Sequence, residues 1–405
     1  MKPARLLLLT NGPLARNPRV VKEASALGAA GHAVTVLGFR NHRASVPLDA
    51  ALAAGAPFRH EQVELLDGPA AFLRRAFSRL ARELAARAGP ATIHALGPAF
   101  SLLRRARSTP ADLTIVHNEI PHWTGLRLIA SGRRVAADIE DWHSEDLLPA
   151  DRVGRPLDVL RRVEHGLLHR AAYVTTTSEA LASALHARYG GRRPAVLTNS
   201  FPLPPPPASP PAPSALPAFF WFSQTTGPGR GLEAFAAAWA LTTRPSRLVL
   251  LGEISGDFDR RLLALLPPAL RARVEFLPLV PPADLPALIA RHDIGLALEQ
   301  SAILNRDLTI TNKILQYLGA GLAVVATPTA GQREVLGRAP ECGLLHDFAA
   351  PADAALALDT LLADPAALAA RRTAARRLAE THYCWELEAP RLVKRVEAML
   401  TPPRS

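Results

Sequence analysis

The sequence has little sulfur, little lysine and no long apolar run. Only two cysteines, Cys342 and Cys384, occur in 405 residues. One pair is too few for a disulfide framework, and its spacing is not that of metal ligands, so a reducing compartment is expected. No run approaches the roughly 18 apolar residues of a membrane span. The opening MKPARLLLLTNG has four leucines after its basic residues, too short a core for a secretory signal. Together these absences predict a cytoplasmic protein. Lysine (four residues) and methionine (two) are scarce while Ala, Arg and Pro abound, a compositional bias with no functional content. Hydrophobic content of 48% with 20% charge describes an ordinary globular chain, long enough for two domains with their own cores.

Acidic charge is short in the first half only. The net charge is +11. Residues 1–200 carry 27 Lys and Arg against 17 Asp and Glu, whereas residues 201–405 carry 20 against 19. A basic half suits an anionic substrate or an anionic membrane surface as well as a plain solvated surface. Nucleic acid is not expected, because no recognised module and no aromatic-basic interleaving accompany the charge.

Short apolar runs alternate with helical periodicity. Leu6–Thr10 suits a buried strand. Asn17-Pro18 suits a helix cap followed by proline at the first helical position. Val20, Val21, Ala24 and Leu27 then fall at helical spacing, Gly31 can end the helix, and AVTVLGF (33–39) is the next strand. This is a β-α-β unit and implies a parallel sheet covered by helices. DLTIVHN (112–118), RVAADIE (134–140) and AYVTTTS (172–178) extend the pattern. Residues 201–217, FPLPPPPASPPAPSALP, cannot be helix or central strand and read as a stiff linker. Strands resume at FFWFS (219–223), RLVLLG (247–252), VEFLPLV (274–280), IGLALE (294–299) and LAVVAT (322–327). The expected fold is therefore α/β, with two doubly wound Rossmann-like domains facing a cleft. The domains are set at 1–200 and 218–380, joined by the 201–217 linker. A helical tail, 381–405, is expected to pack back toward the first domain. Ligands of such sheets bind beyond the carboxyl ends of strands.

Two stretches of the second half carry chemistry. In WFSQTTGPGRGLEAF a strand meets a glycine-rich turn, and a helix is expected to begin near Arg230. Glycines let backbone N–H groups approach a ligand, and Arg230 at the helix start would suit a phosphate. The spacing is not the G-x-G-x-x-G of dinucleotide sites, since Leu232 stands at the third position. In LTITNKILQYLGAGLAVVAT, Thr311 or Asn312 can cap a helix whose first turn holds Lys313. A cation there is unfavourable against the helix dipole unless an anion is near. An ordinary loop arginine and a snorkelling surface lysine are the plain alternatives. In the first half, DIEDWHSED (138–146) gathers five carboxylates around His143, and His117 ends the strand of VHNE. Each histidine is open to a loop or core role as well. Residues 72–87, FLRRAFSRLARELAAR, form an amphipathic pattern with Phe72, Leu73, Phe77, Leu80 and Leu84 on one side and arginines bordering it. Such a helix suits an anionic membrane face or an ordinary surface.

In order and spacing, three of these segments resemble the bacterial family-four (group 1) retaining glycosyltransferases of the GT-B fold. NPRVVKEASALGAAGHAVTVL resembles the family's opening segment, WFSQTTGPGRGLEAF its first donor-domain strand–helix turn, and TNKILQYLGAG a variant of its donor-site helix. The resemblance implies transfer of a sugar from a nucleotide-diphosphate donor to a glycan or lipid-linked acceptor, in polysaccharide or glycolipid biosynthesis. It implies that Arg230 and Lys313 neutralise the donor diphosphate and that Thr311, Asn312 and Ile314 form the helix start at the phosphates. Gln316 falls at the ribose-binding position, Gly12 in the glycine loop of the first domain, and His143 near the transferred sugar. The sequence departs from the pattern where Leu308 and Gln316 replace the motif glutamates and Gln224 replaces a second arginine. Glu299 is a substitute carboxylate. No metal and no cofactor beyond the nucleotide sugar are expected. Peripheral contact with the inner membrane face through 72–87 stays open beside an ordinary surface role. A non-catalytic GT-B-like binding protein and a GT-B-fold nucleotide-sugar epimerase stay open as alternatives.

Overall fold

The computed structural model describes residues 3–88, 92–205 and 216–401. Most of the proline-rich 201–217 segment lies outside these residues. The chain forms two compact units, Met1–Leu197 with Ala389–Ser405, and Thr198–Glu388.

The first unit is built on seven parallel strands: β1 (Arg5–Leu9), β2 (Ala33–Arg40), β3 (Phe58–Glu64), β4 (Leu113–His117), β5 (Val135–Ile139), β6 (Val174–Thr176) and β7 (Ala195–Val196). Their order is β3-β2-β1-β4-β5-β6-β7. β1 lies between β2 and β4, so the order reverses at its carboxyl end. The leucines Leu6–Leu9 are all buried, as expected of a strand covered on both faces. The helix Pro18–Ala29 begins with proline at its first position, but Asn17 does not cap it. The Asn17 amide instead donates 2.8 Å to the Pro13 carbonyl, which tightens the loop before the helix. Gly31, at φ +92°, turns the chain into β2.

The second unit has six parallel strands: β8 (Ala218–Thr226), β9 (Arg247–Ile254), β10 (Val274–Leu277), β11 (Ile294–Ala297), β12 (Ala323–Ala326) and β13 (Gly343–Leu345), in the order β10-β9-β8-β11-β12-β13. Here β8 is the reversal point, between β9 and β11. Phe219, Trp221, Phe235 and Trp239 fill one face of this sheet. Tyr317 fills the other and is completely buried. Its hydroxyl donates 3.2 Å to the Leu296 carbonyl, and its ring lies against Gly295. A Cβ at Gly295 would come within 2.2 Å of that ring, so the strand needs glycine there. The tail comprises two helices, Pro365–His382 and Trp385–Leu400, and the unit boundary falls within the second.

Candidate functional site

In the second unit the loops leaving β8, β11 and β12 meet. The helix after β8 starts at Leu232, two residues later than the glycine pattern suggests. Gly231 occupies its cap position in the left-handed region, φ +77°. A Cβ there would fall 2.5 Å from the Leu298 carbonyl, so glycine lets the β8 turn close onto the β11 exit. Arg230 therefore precedes the cap and is half-buried.

Thr311 is the cap residue of the helix Asn312–Ala320, yet its hydroxyl makes no cap bond and is buried without a partner. The first-turn amides are left for another acceptor. Asn312 does not cap either; its side-chain carbonyl accepts 3.0 Å from Asn199. The anion that the first-turn lysine demands is internal. Lys313 Nζ donates 2.6 Å to Glu299 Oε1 and lies 5.6 Å from the centre of the Trp221 ring. Lys313 thus needs no external phosphate to account for its position, which corrects that step of the sequence argument. Burial pushes the Glu299 carboxyl up, but Lys313, then Arg306 and Arg230, outweigh it and hold the group below the usual carboxylate range. Of these cations, Lys313 is the one in contact with the carboxylate. Arg306, on the short helix Leu304–Leu308, carries no motif signal in the sequence and is found only by folding. Leu308 is buried beside it.

Gly231, Glu299, Thr327 and Thr329 line a pocket of about 190 Å³. That is below the roughly 300–1,000 Å³ of sites enclosing whole drug-sized ligands. Ile314 is buried core, and Gln316 is half-buried one turn along the same helix. Gln224 is exposed near the end of β8.

In the first unit Gly12 follows β1 and is buried, but a Cβ there would meet only Asn17 Nδ2, at 3.4 Å. His143 is buried, with Nδ1 3.7 Å from Asp146 and 3.9 Å from Glu119. Burial lowers its pKa, but Glu119, Asp146 and Asp141 outweigh that and raise it to about 9. His122 lies 5.6 Å away, ring to ring, and is pushed down to about 3 by burial and by His143. Arg155 completes the cluster, donating 3.2 Å to Glu119 and 3.0 Å to Asp146. The carboxylates of 138–146 do not all surround His143. Asp138 pairs with Arg19, and Glu145 faces Arg152, Arg161 and Arg188. Glu119, in the VHNE segment, was the missed partner.

His117 belongs to a different, fully buried network. Arg19 bonds Asp138 through two nitrogens, donates to the Leu197 carbonyl and lies 3.3 Å from Glu23. His117 lies 3.4 Å from Glu23 and 3.2 Å from Asp138. Two clusters, Glu23–His117–Asp138 and Glu119–His143–Asp146, bring potential metal-ligand atoms within 4.8 Å of one another. In each, an arginine already supplies the positive charge that a metal ion would bring.

Residues 217–364 match the family model Glycosyl transferases group 1. The match falls in the second unit, over the stretch that holds WFSQTTGPGRGLEAF and TNKILQYLGAG. No curated protein sequence matches the chain. Among solved structures, HepE of Anabaena in complex with UDP-glucose aligns over 98% of this chain and 100% of its own, with TM-score 0.71 and 17% identity. Sucrose-phosphate synthase from Thermosynechococcus elongatus aligns over 98% and 99%, with TM-score 0.71 and 15% identity. WaaG, a glycosyltransferase involved in lipopolysaccharide biosynthesis, aligns over 96% and 98%, with TM-score 0.61 and 14% identity. At these identities the likeness is one of fold: two Rossmann-like units, as in GT-B glycosyltransferases.

Proposed function

We propose that the protein is a hexosyl-type glycosyltransferase. It moves a sugar from a nucleotide-diphosphate donor to a glycan or lipid-linked acceptor, with retention, in polysaccharide or glycolipid assembly. The observation that carries this reading is the mostly buried Lys313–Glu299 pair, set between the Gly231 turn and the start of the Asn312–Ala320 helix, in a stretch that matches the group 1 model. A nucleoside diphosphate leaves with growing negative charge, which fixed cations and free helix-start amides at Thr311–Ile314 stabilise. No metal is needed in this account, because the protein cations balance the phosphates. Gln316 offers an amide to the ribose, and Glu299 and Gln224 offer acceptors to sugar hydroxyls. His143, protonated at neutral pH, offers a hydrogen bond to bound sugar. A cytoplasmic bacterial enzyme fits the cysteine usage, and among the described residues no helix is long and apolar enough to cross a membrane.

The test is a thermal-shift screen with UDP, GDP, ADP and dTDP and their sugars, on wild type and on Arg230→Ala with Lys313→Ala. Stabilisation by one nucleotide, lost in the double variant, supports the donor site and names the base. No stabilisation at millimolar concentration counts against transfer. A second reading, binding without turnover, draws on Leu308, a buried side chain that offers a sugar hydroxyl nothing. Donor binding without sugar release to any acceptor or to water favours it.

A further inference from the structure

The helix Pro69–Ala88 buries almost none of its apolar side chains. Its seam against the rest of the unit is made of small residues, Ala71, Ser78 and Ala85. Leu73, Phe77, Leu80 and Leu84 form a stripe on one flank, each more than half exposed. Arg75, Arg79 and Arg82 recur at i, i+4 and i+7 on the other flank. These arginines line a pocket of about 380 Å³ with Ser78, Asn11 and Asn41. Asn11 follows β1 and Asn41 follows β2, so the pocket lies at the carboxyl ends of the strands, beside the reversal point of the sheet.

The pocket is electrostatically unspent. Arg75 donates to the backbone carbonyls of Leu65 and Leu66, and Arg82 Nε donates 3.1 Å to the Ala95 carbonyl. These bonds hold the guanidiniums in place without neutralising them. Among the described residues none of the three arginines pairs with a carboxylate, and Arg79 has no hydrogen-bond partner. Ser78 lines the same pocket and is only 6% exposed, and its buried hydroxyl has no hydrogen-bond partner. A buried unbonded hydroxyl carries a desolvation cost that a bound acceptor oxygen would remove.

We propose that this pocket takes a phosphate or diphosphate ester, the anionic end of the acceptor. The proposal rests on the transferase reading for the word acceptor, but the binding site stands on its own residues. Several guanidiniums around one pocket suit the multiple oxygens and charges of a phosphate better than a single carboxylate. The exposed leucine–phenylalanine stripe on the same helix indicates the source: an ester borne on a hydrocarbon chain, whose apolar part lies along that flank.

Full-length wild type, Arg79→Glu, Ser78→Ala and Arg230→Ala are titrated calorimetrically with inorganic diphosphate, farnesyl diphosphate, UDP, GDP, ADP and dTDP. Farnesyl diphosphate should bind wild type and weaken about tenfold or more in Arg79→Glu, by loss of a charge-assisted bond. It should weaken severalfold in Ser78→Ala and be unchanged in Arg230→Ala. The nucleotide should show the opposite pattern. No binding of either diphosphate probe, or binding indifferent to Arg79→Glu, overturns the site. Equal affinity for inorganic and farnesyl diphosphate keeps the phosphate site and overturns the lipid source. Loss of farnesyl diphosphate in Arg230→Ala alone assigns it to the second unit and overturns the proposal. If no nucleotide binds while the Arg79 pattern holds, the donor reading fails and the pocket stands. Arg79 makes no bond in the fold, so circular dichroism should show its variants folded.

Discussion

The ammonium of Lys313 sits 2.6 Å from the Glu299 carboxylate, with both side chains mostly buried. The first-turn cation of the Asn312–Ala320 helix therefore carries its own counter-ion. Removing that counter-ion leaves a buried charge unpaired, at a cost of about 3–5 kcal/mol. Glu299→Gln is expected to lower stability by that amount in chemical denaturation. It should also strengthen nucleoside-diphosphate binding severalfold by calorimetry, because Lys313 is freed for the ligand. Weaker binding instead would mean that the carboxylate itself holds the donor.

Arg230 and Arg306 both add to the field that lowers the Glu299 carboxyl, and only Arg230 has a motif behind it. Arg230→Ala and Arg306→Ala are each expected to raise the dissociation constant of the preferred nucleoside diphosphate about tenfold or more, one charge-assisted bond each. An Arg306→Ala protein that binds like wild type would remove Arg306 from the site.

Gly231 and Gly229 make a paired test of the β8 turn. Both have positive φ, +77° and +70°, but a Cβ at Gly229 meets nothing within 4 Å, whereas one at Gly231 meets the Leu298 carbonyl. Gly229→Ala should cost about 1–2 kcal/mol, the left-handed penalty alone. Gly231→Ala should cost more and also weaken donor binding, because the two loops are forced apart. Equal costs in thermal unfolding would show that the close approach does not matter.

His143 sets a pH dependence. Its folded pKa is raised to about 9 from 6.5 by Glu119, Asp146 and Asp141 against burial. A raised histidine contributes stability fully below the unfolded value and loses it as pH rises through the folded one. Wild type should therefore lose stability between pH 6.5 and about 9 relative to His143→Gln. Parallel stability profiles of the two proteins over that range would contradict the protonated state.

Arg19 is costly to remove. It is buried between Asp138 and Glu23, so Arg19→Met should destabilise by about 3–5 kcal/mol, the penalty for orphaning buried charge. Arg19→Lys should rescue only part of this, since the two-nitrogen bond to Asp138 needs a guanidinium. A loss under about 1 kcal/mol in denaturant titration would show that the network relaxes.

Most strands of both sheets were legible because parallel strands buried on two faces are short apolar runs, as in LLLL, AVTVLGF and LAVVAT; β3 (FRHEQVE), β7 and β13 were not, being polar or only two or three residues long. The Asn312 start of its helix was legible too, since Thr-Asn-Lys precedes helical spacing. The sequence alone also set Arg230 and Lys313 apart, because a cation at a helix start runs against the dipole. Only the tertiary structure could say which charge answers it. Glu299 lies fourteen residues before Lys313 and reaches it because β11 and the Asn312–Ala320 helix lie side by side. Arg306 and Glu119 were invisible for the same reason: a charged residue in a short helix (Leu304–Leu308) or at the first position of a longer one (Glu119–Ala130) adds nothing to the periodicity, and its role depends on which chain segments the sheet order brings near. The five carboxylates of 138–146 show the converse. Their density along the chain suggested one cluster, but successive residues of a strand and its exit loop point in different directions, and the fold gave them to different arginines.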